Sequence, residues 1–138
     1  PPDRSGKIPE NQVNRLKEFG TMLKSRFKTN LAKTATVEAT STRANGATRT
    51  YVVNNLIDEN PDTYWAAEDD VKDVTLTFKW NSPQTVRYVK QTTIGYKRII
   101  PLNGSTANSY GSGFDAKAIR VHIKDAKACP VMSEIAIY

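Results

Sequence analysis

The hydrophobic pattern changes period once, near Asn30, and that change limits the available folds more than any other feature of the chain. Before it, Val13, Leu16, Phe19, Leu23 and Phe27 recur at spacings of three and four. Such spacing lays one apolar stripe along a helix. Pro9, Glu10 and Asn11 suit a first turn, because proline needs no amide partner there and an acid complements the helix dipole. Arg15, Lys17, Lys24, Arg26 and Lys28 mostly occupy the remaining surface. A lone helix of this length is marginal in water, so the stripe is expected to dock, on a neighbouring domain rather than on a membrane surface.

Beyond Asn30 the period is two. Val74, Leu76, Phe78 and Trp80 alternate with Thr75, Thr77 and Lys79, as a half-buried strand requires. Ala35, Val37 and Ala39 alternate in the same way with polar neighbours. Further strands are predicted at Val86–Lys90, Tyr96–Leu102, Ala118–Ile123 and Glu134–Tyr138, with turns at Ala44-Asn45-Gly46 and Asn103-Gly104-Ser105. No second helical period follows. Several short strands joined by polar loops favour an antiparallel β-sandwich or jelly roll.

Composition removes several function classes. A single cysteine, Cys129, and a single histidine, His122, leave no internal disulfide, no His-rich metal site and no two-histidine mechanism. No apolar run approaches the roughly 20 residues of a membrane-spanning helix. The net charge of +6 suggests nucleic acid until it is divided along the chain. Residues 1–33 hold eight Lys/Arg against three Asp/Glu, whereas residues 34–138 hold twelve against eleven. Within the latter, Asp58 to Asp73 carries seven acids and only Lys72 as a cation. That stretch repels phosphates and anionic membranes alike. The chain opens on Pro1-Pro2 with no initiator Met, and is expected to be a piece of something longer.

The most informative stretch runs from Asn55 to Trp65, a tight turn that carries three carboxylates and a hydroxyl into two aromatics. Hard oxygen donors on one loop suit Ca²⁺, with Asp58 and Thr63 as side-chain ligands and the Asn60 carbonyl between them. Glu134 closes such a shell if the last strand returns beside the loop. An Asx-type turn that needs no metal accounts for the same residues equally well. Trp65 is expected in the core. Glu68, Asp69 and Asp70 are adjacent on a loop and point different ways, which does not suit paired-carboxylate glycosidase chemistry. His122 falls on the polar face of its strand, and Cys129 has no evident activating partner. Asn103-Gly104-Ser105 fits a glycosylation sequon.

Two groups of motifs resemble known families. Pro1-Pro-Asp-Arg-Ser-Gly-Lys-Ile-Pro-Glu10, with Val13-Asn-Arg-Leu-Lys-Glu-Phe-Gly20, resembles the end of the (β/α)8-like catalytic barrel of glycoside hydrolase family 29 α-L-fucosidases. Asn55-Leu-Ile-Asp with Thr63-Tyr-Trp, Thr92-Thr-Ile-Gly-Tyr-Lys-Arg-Ile, and Asp125 through Tyr138 resemble the discoidin, or coagulation factor 5/8 type C, domain that often follows it. The resemblance implies a galactose-binding-like β-sandwich over residues 31–138, preceded by a barrel-end helix within residues 1–30. It implies a parent enzyme that releases terminal α-L-fucose with retention. That enzyme's nucleophile and acid/base lie upstream of Pro1, so no catalytic residue is carried over. It further implies a structural Ca²⁺ held by Asp58, Asn60, Thr63 and Glu134, although Asp58-Glu59 departs from the usual Asp-Gly. In relatives the strand matching Arg87–Lys90 runs into a further pair of strands, so a segment is expected to be lacking between Lys90 and Gln91.

Sugar sites on such sandwiches use loop aromatics with charged or amide groups. Tyr96, Lys97, Arg98, Glu68, Asp69 and Tyr110 are the candidates for glycans carrying terminal fucose or galactose. A purely structural brace for the barrel, or an adhesion module, is the alternative. The resemblance alone places the parent in the periplasm or outside the cell.

Overall fold

The change of period near Asn30 becomes a change from helix to strands. A computed structural model of the chain describes residues 6–43, 50–93, 96–102 and 113–138. Both predicted turns, the sequon and Tyr110 lie outside the described residues, as does the side chain of Tyr96. The stripe residues form helix α1 (Glu10–Arg26), entered through Pro9, with Glu10 in the first turn and Lys24 and Arg26 in the last. Among the described residues eight strands follow: β1 (Thr36–Ala39), β2 (Trp65–Ala66), β3 (Val74–Val86), β4 (Tyr88–Thr93), β5 (Tyr96–Pro101), β6 (Phe114–Ile123), β7 (Val131–Met132) and β8 (Glu134–Ile137). Short 3-10 turns at Leu31–Thr34 and Val53–Ile57 connect them.

All strand pairings are antiparallel: one sheet has the order β1-β3-β6, a second β5-β4-β8, and β2 pairs with β7. One apolar core spans the two three-stranded sheets, with Leu76, Phe78 and Ile119 from the first and Val89, Ile135 and Ile137 from the second. Trp65 is fully buried, as expected for a large aromatic entering a strand. Its Nε1 donates to Thr42 Oγ1 at 3.1 Å, and Trp80 Nε1 donates to the Leu31 carbonyl at 2.9 Å, so neither buried indole N–H is orphaned.

Strand β3 is longer than alternation predicts. It continues past Trp80 through Asn81-Ser82-Pro83 by way of a register shift between Lys79 and Gln84. Proline is tolerated in a ladder at such an irregularity because no donor is required there. Lys90 and Gln91 are consecutive in β4, opposite Ile99 and Arg98 of β5. His122 is exposed, as its place on the strand predicts.

Helix α1 meets the sandwich at its C-terminal end. The Phe27 ring packs 5.1 Å from Tyr88 and 5.0 Å from Tyr138, and Arg26 Nη1 donates to the Tyr88 hydroxyl at 2.6 Å. The rest of the stripe stays open: Leu16 is 61% exposed and Phe19 54%.

Candidate functional site

Asp58 ends the second 3-10 turn, and the loop beyond it folds back on its carboxylate. Asp58 Oδ1 accepts from the Asn60 amide at 2.9 Å, and Oδ2 accepts from Thr63 Oγ1 at 2.6 Å. The Thr63 hydroxyl also lies 3.0 Å from the Asn60 carbonyl, and Asn60 Oδ1 accepts from the Asp62 amide at 3.1 Å. This is a doubled Asx-type turn. Glu59 between them takes a left-handed φ of 60°. Glycine adopts that region without strain, and Glu59 occupies it as a non-glycine residue. The Glu59 carboxylate pairs with Lys33 at 2.9 Å.

Strand β8 brings Glu134 to this turn from 76 residues further along the chain. Antiparallel register sets it beside Thr92 of β4. Its carboxyl is pushed up to about 8 by burial first, then by the hydrogen bond to Asp58 and by the Asp58 charge. Partial burial also opposes ionisation of Asp58, but hydrogen bonds from Thr63 and the Asn60 amide outweigh it and hold Asp58 below the usual carboxylate value. Glu134 Oε1 is buried without a hydrogen-bond partner. Two carboxyls in contact, one orphaned oxygen, a hydroxyl and a backbone carbonyl form a donor set that a hard cation would satisfy. Among the described residues no group of three or more acidic, His or Cys side chains converges, so such a cation would rely on the hydroxyl and carbonyl as well. All four residues expected from the sequence therefore converge.

Of the six sugar candidates, the four whose side chains are described, Glu68, Asp69, Lys97 and Arg98, do not. Pleating places Lys90 and Thr92 of β4, Lys97 of β5 and Glu134 and Ala136 of β8 on one sheet face. Lys90, Thr92, Lys97 and Glu134 line a cavity of about 290 Å³ with Asn30 and Tyr138. Arg98, the next residue of β5, falls on the opposite pleat and is exposed. Glu68 and Asp69 lie after β2, and Asp69 lines a separate cavity of about 460 Å³ that shares no residue with the first.

That second surface contains residues the sequence did not single out. Arg43 Nη2 pairs with Asp69 Oδ1 and donates to Cys129 Sγ at 3.1 Å, so Cys129 does have a partner. Arg43 Nε donates to the Ala67 carbonyl at 3.4 Å, and its guanidinium stands 5.9 Å from the Tyr51 ring centre. Tyr51 and Tyr64 pack at 5.0 Å, and the hydrogen bond between them raises the Tyr64 phenol above its ordinary value. No periodicity marks Arg43, Tyr51 or Tyr64; they are scattered in sequence and meet only through loops.

No family model matches the chain. Alpha-L-fucosidase 1 of Arabidopsis thaliana is 24% identical to it over 169 aligned positions, covering all of this chain and 32% of that protein. The fucose complex of a GH29 fucosidase from Ruminococcus gnavus superposes with a TM-score of 0.74 and 24% identity, over all of this chain and 32% of that one. The chain resembles the C-terminal third of a GH29 α-L-fucosidase. It thus spans about a third of the length of the relatives it matches. The Streptococcus pneumoniae fucose binding module SpX-3 superposes at a TM-score of 0.55 and 12% identity, over 80% of this chain and 97% of that one. The sandwich therefore shares its fold with that module over four-fifths of the chain.

Proposed function

We propose that this chain is the non-catalytic, carbohydrate-binding-type part of an α-L-fucosidase, which it attaches to fucosylated or galactosylated glycans while a separate barrel performs hydrolysis. The supporting observation is the match of the whole chain to about a third of GH29 fucosidases. Four-fifths of it matches a complete fucose binding module. The natural boundary lies near residue 30, where α1 ends and the first 3-10 turn begins. A structural Ca²⁺ held by Asp58, Thr63, Glu134 and the Asn60 carbonyl belongs to this reading, supported by the orphaned Glu134 Oε1. No helix among the described residues is long and apolar enough to cross a membrane. A parent working in the periplasm or outside the cell accords with glycan substrates.

The test is a glycan array probed with the 138-residue chain. Binding to fucose- or galactose-terminated glycans is expected, with no release of 4-nitrophenol from its α-L-fucoside. A folded chain that binds no glycan would leave only the structural role.

A second observation favours that structural role. Leu16, Phe19, Met22 and Leu23 of α1 are each more than a third exposed. Such a contiguous apolar face fits a packing partner of the same character. In the parent enzyme that partner is the barrel. Replacing Leu16 and Phe19 together by serine should leave the melting temperature of this chain unchanged and weaken its association with the barrel.

A further inference from the structure

We infer that the cluster around Arg43 is a binding site for a neutral pyranose. This rests on the carbohydrate-binding reading above and assigns it to one of the two surfaces. Arg43 is anchored at Asp69, Cys129, Ala67 and Tyr51, so its planar fork is held in one orientation before any ligand arrives. The Asp69 side chain is 81% exposed and presents its remaining acceptor capacity to the cavity. A guanidinium beside a carboxylate offers donor and acceptor side by side. Two vicinal sugar hydroxyls, each able to donate and accept, match that pair.

The charges around the cavity argue for a neutral ligand. Asp69 and Asp70 disfavour an anion there, whereas Lys72, Lys127 and Arg43 disfavour a metal cation. A polyol exploits both signs. The cavity, about 460 Å³, lies within the roughly 300–1,000 Å³ of small-molecule sites. Arg43 also stands against the half-buried Tyr51–Tyr64 pair, which adds aromatic surface of the kind a pyranose C–H face packs on.

The experiment is a titration of the ¹⁵N-labelled 138-residue chain with L-fucose, and separately with D-galactose, followed by amide shifts. Shifts centred on Arg43, Asp69, Asp70, Lys127 and Cys129 are expected, with protection of the Cys129 thiol from alkylation at saturating sugar. Asp69→Asn keeps the side-chain shape at an exposed position and should weaken binding about tenfold, as should Arg43→Lys, which keeps the charge and loses the fork. Lys97→Ala, on the other cavity, should leave affinity unchanged. Shifts centred on Lys90 and Lys97, or full affinity in Asp69→Asn, would overturn this site while sparing the carbohydrate-binding reading. Absence of shifts with any neutral sugar in a folded chain would overturn both.

Discussion

Glu134→Gln in calcium-free buffer gives the sharpest test of the turn at Asp58. In the folded chain the Glu134 carboxyl is raised from 4.5 to about 8, chiefly by burial and by contact with Asp58. The folded state therefore holds this proton more tightly than the unfolded state does. Its contribution to stability is fully present below pH 4.5, declines as pH rises, and is gone once pH passes about 8. At about 1.4 kcal/mol per decade of proton affinity, and allowing for the carboxyl's partial exposure, the loss is about 2–4 kcal/mol. For a domain of this size that corresponds to roughly 5–15 °C in melting temperature. Asp58 acts in a different window, because its depressed value yields stability that is lost only as pH falls through the acid range. The assay is thermal unfolding from pH 5 to 9 with a chelator present. The wild-type chain should lose melting temperature across that range, and Glu134→Gln should run nearly flat. Added calcium should reverse the wild-type slope, since the ion and the proton compete for the same carboxyl. A flat wild-type profile in chelator, or equal slopes for wild type and variant, would refute the argument.

Three further outcomes follow from packing. Gly113 has φ of 73°, and a Cβ there would meet the Val86 carbonyl oxygen and lie 2.7 Å from Arg87 Cγ, so Gly113→Ala should cost about 1–3 kcal/mol in a urea titration. Asn30 Oδ1 accepts from the amides of Ala32 and Ile137, each at 3.0 Å, tying the first 3-10 turn to β8; Asn30→Ala should cost about 1–3 kcal/mol and Asn30→Asp, which keeps the acceptor, less. Trp65→Ala, at a fully buried position, should cost about 3–5 kcal/mol in the same titration, whereas Leu16→Ala, on the open face of α1, should stay within about 0.5 kcal/mol.

The sequence alone determined the elements whose information is local. Apolar residues three and four apart define α1 without reference to anything distant, and strict alternation from Val74 to Trp80 defines the first part of β3. The Asp58–Thr63 turn was equally legible, because its hydrogen bonds join residues at most five apart. Glu134 could be joined to that turn only on the condition that the last strand returns beside it; what brings it there is the pairing of β4 with β8. Tertiary structure alone decided the continuation of β3 through Pro83, where a register shift removes the need for a donor. It alone separated Lys97 from Asp69, and it alone gathered Arg43, Tyr51, Asp69 and Cys129. Periodicity records which face of an element is buried, not which loops share an end of the sandwich. A site made of loop side chains is therefore invisible until the sheets fix where those loops lie.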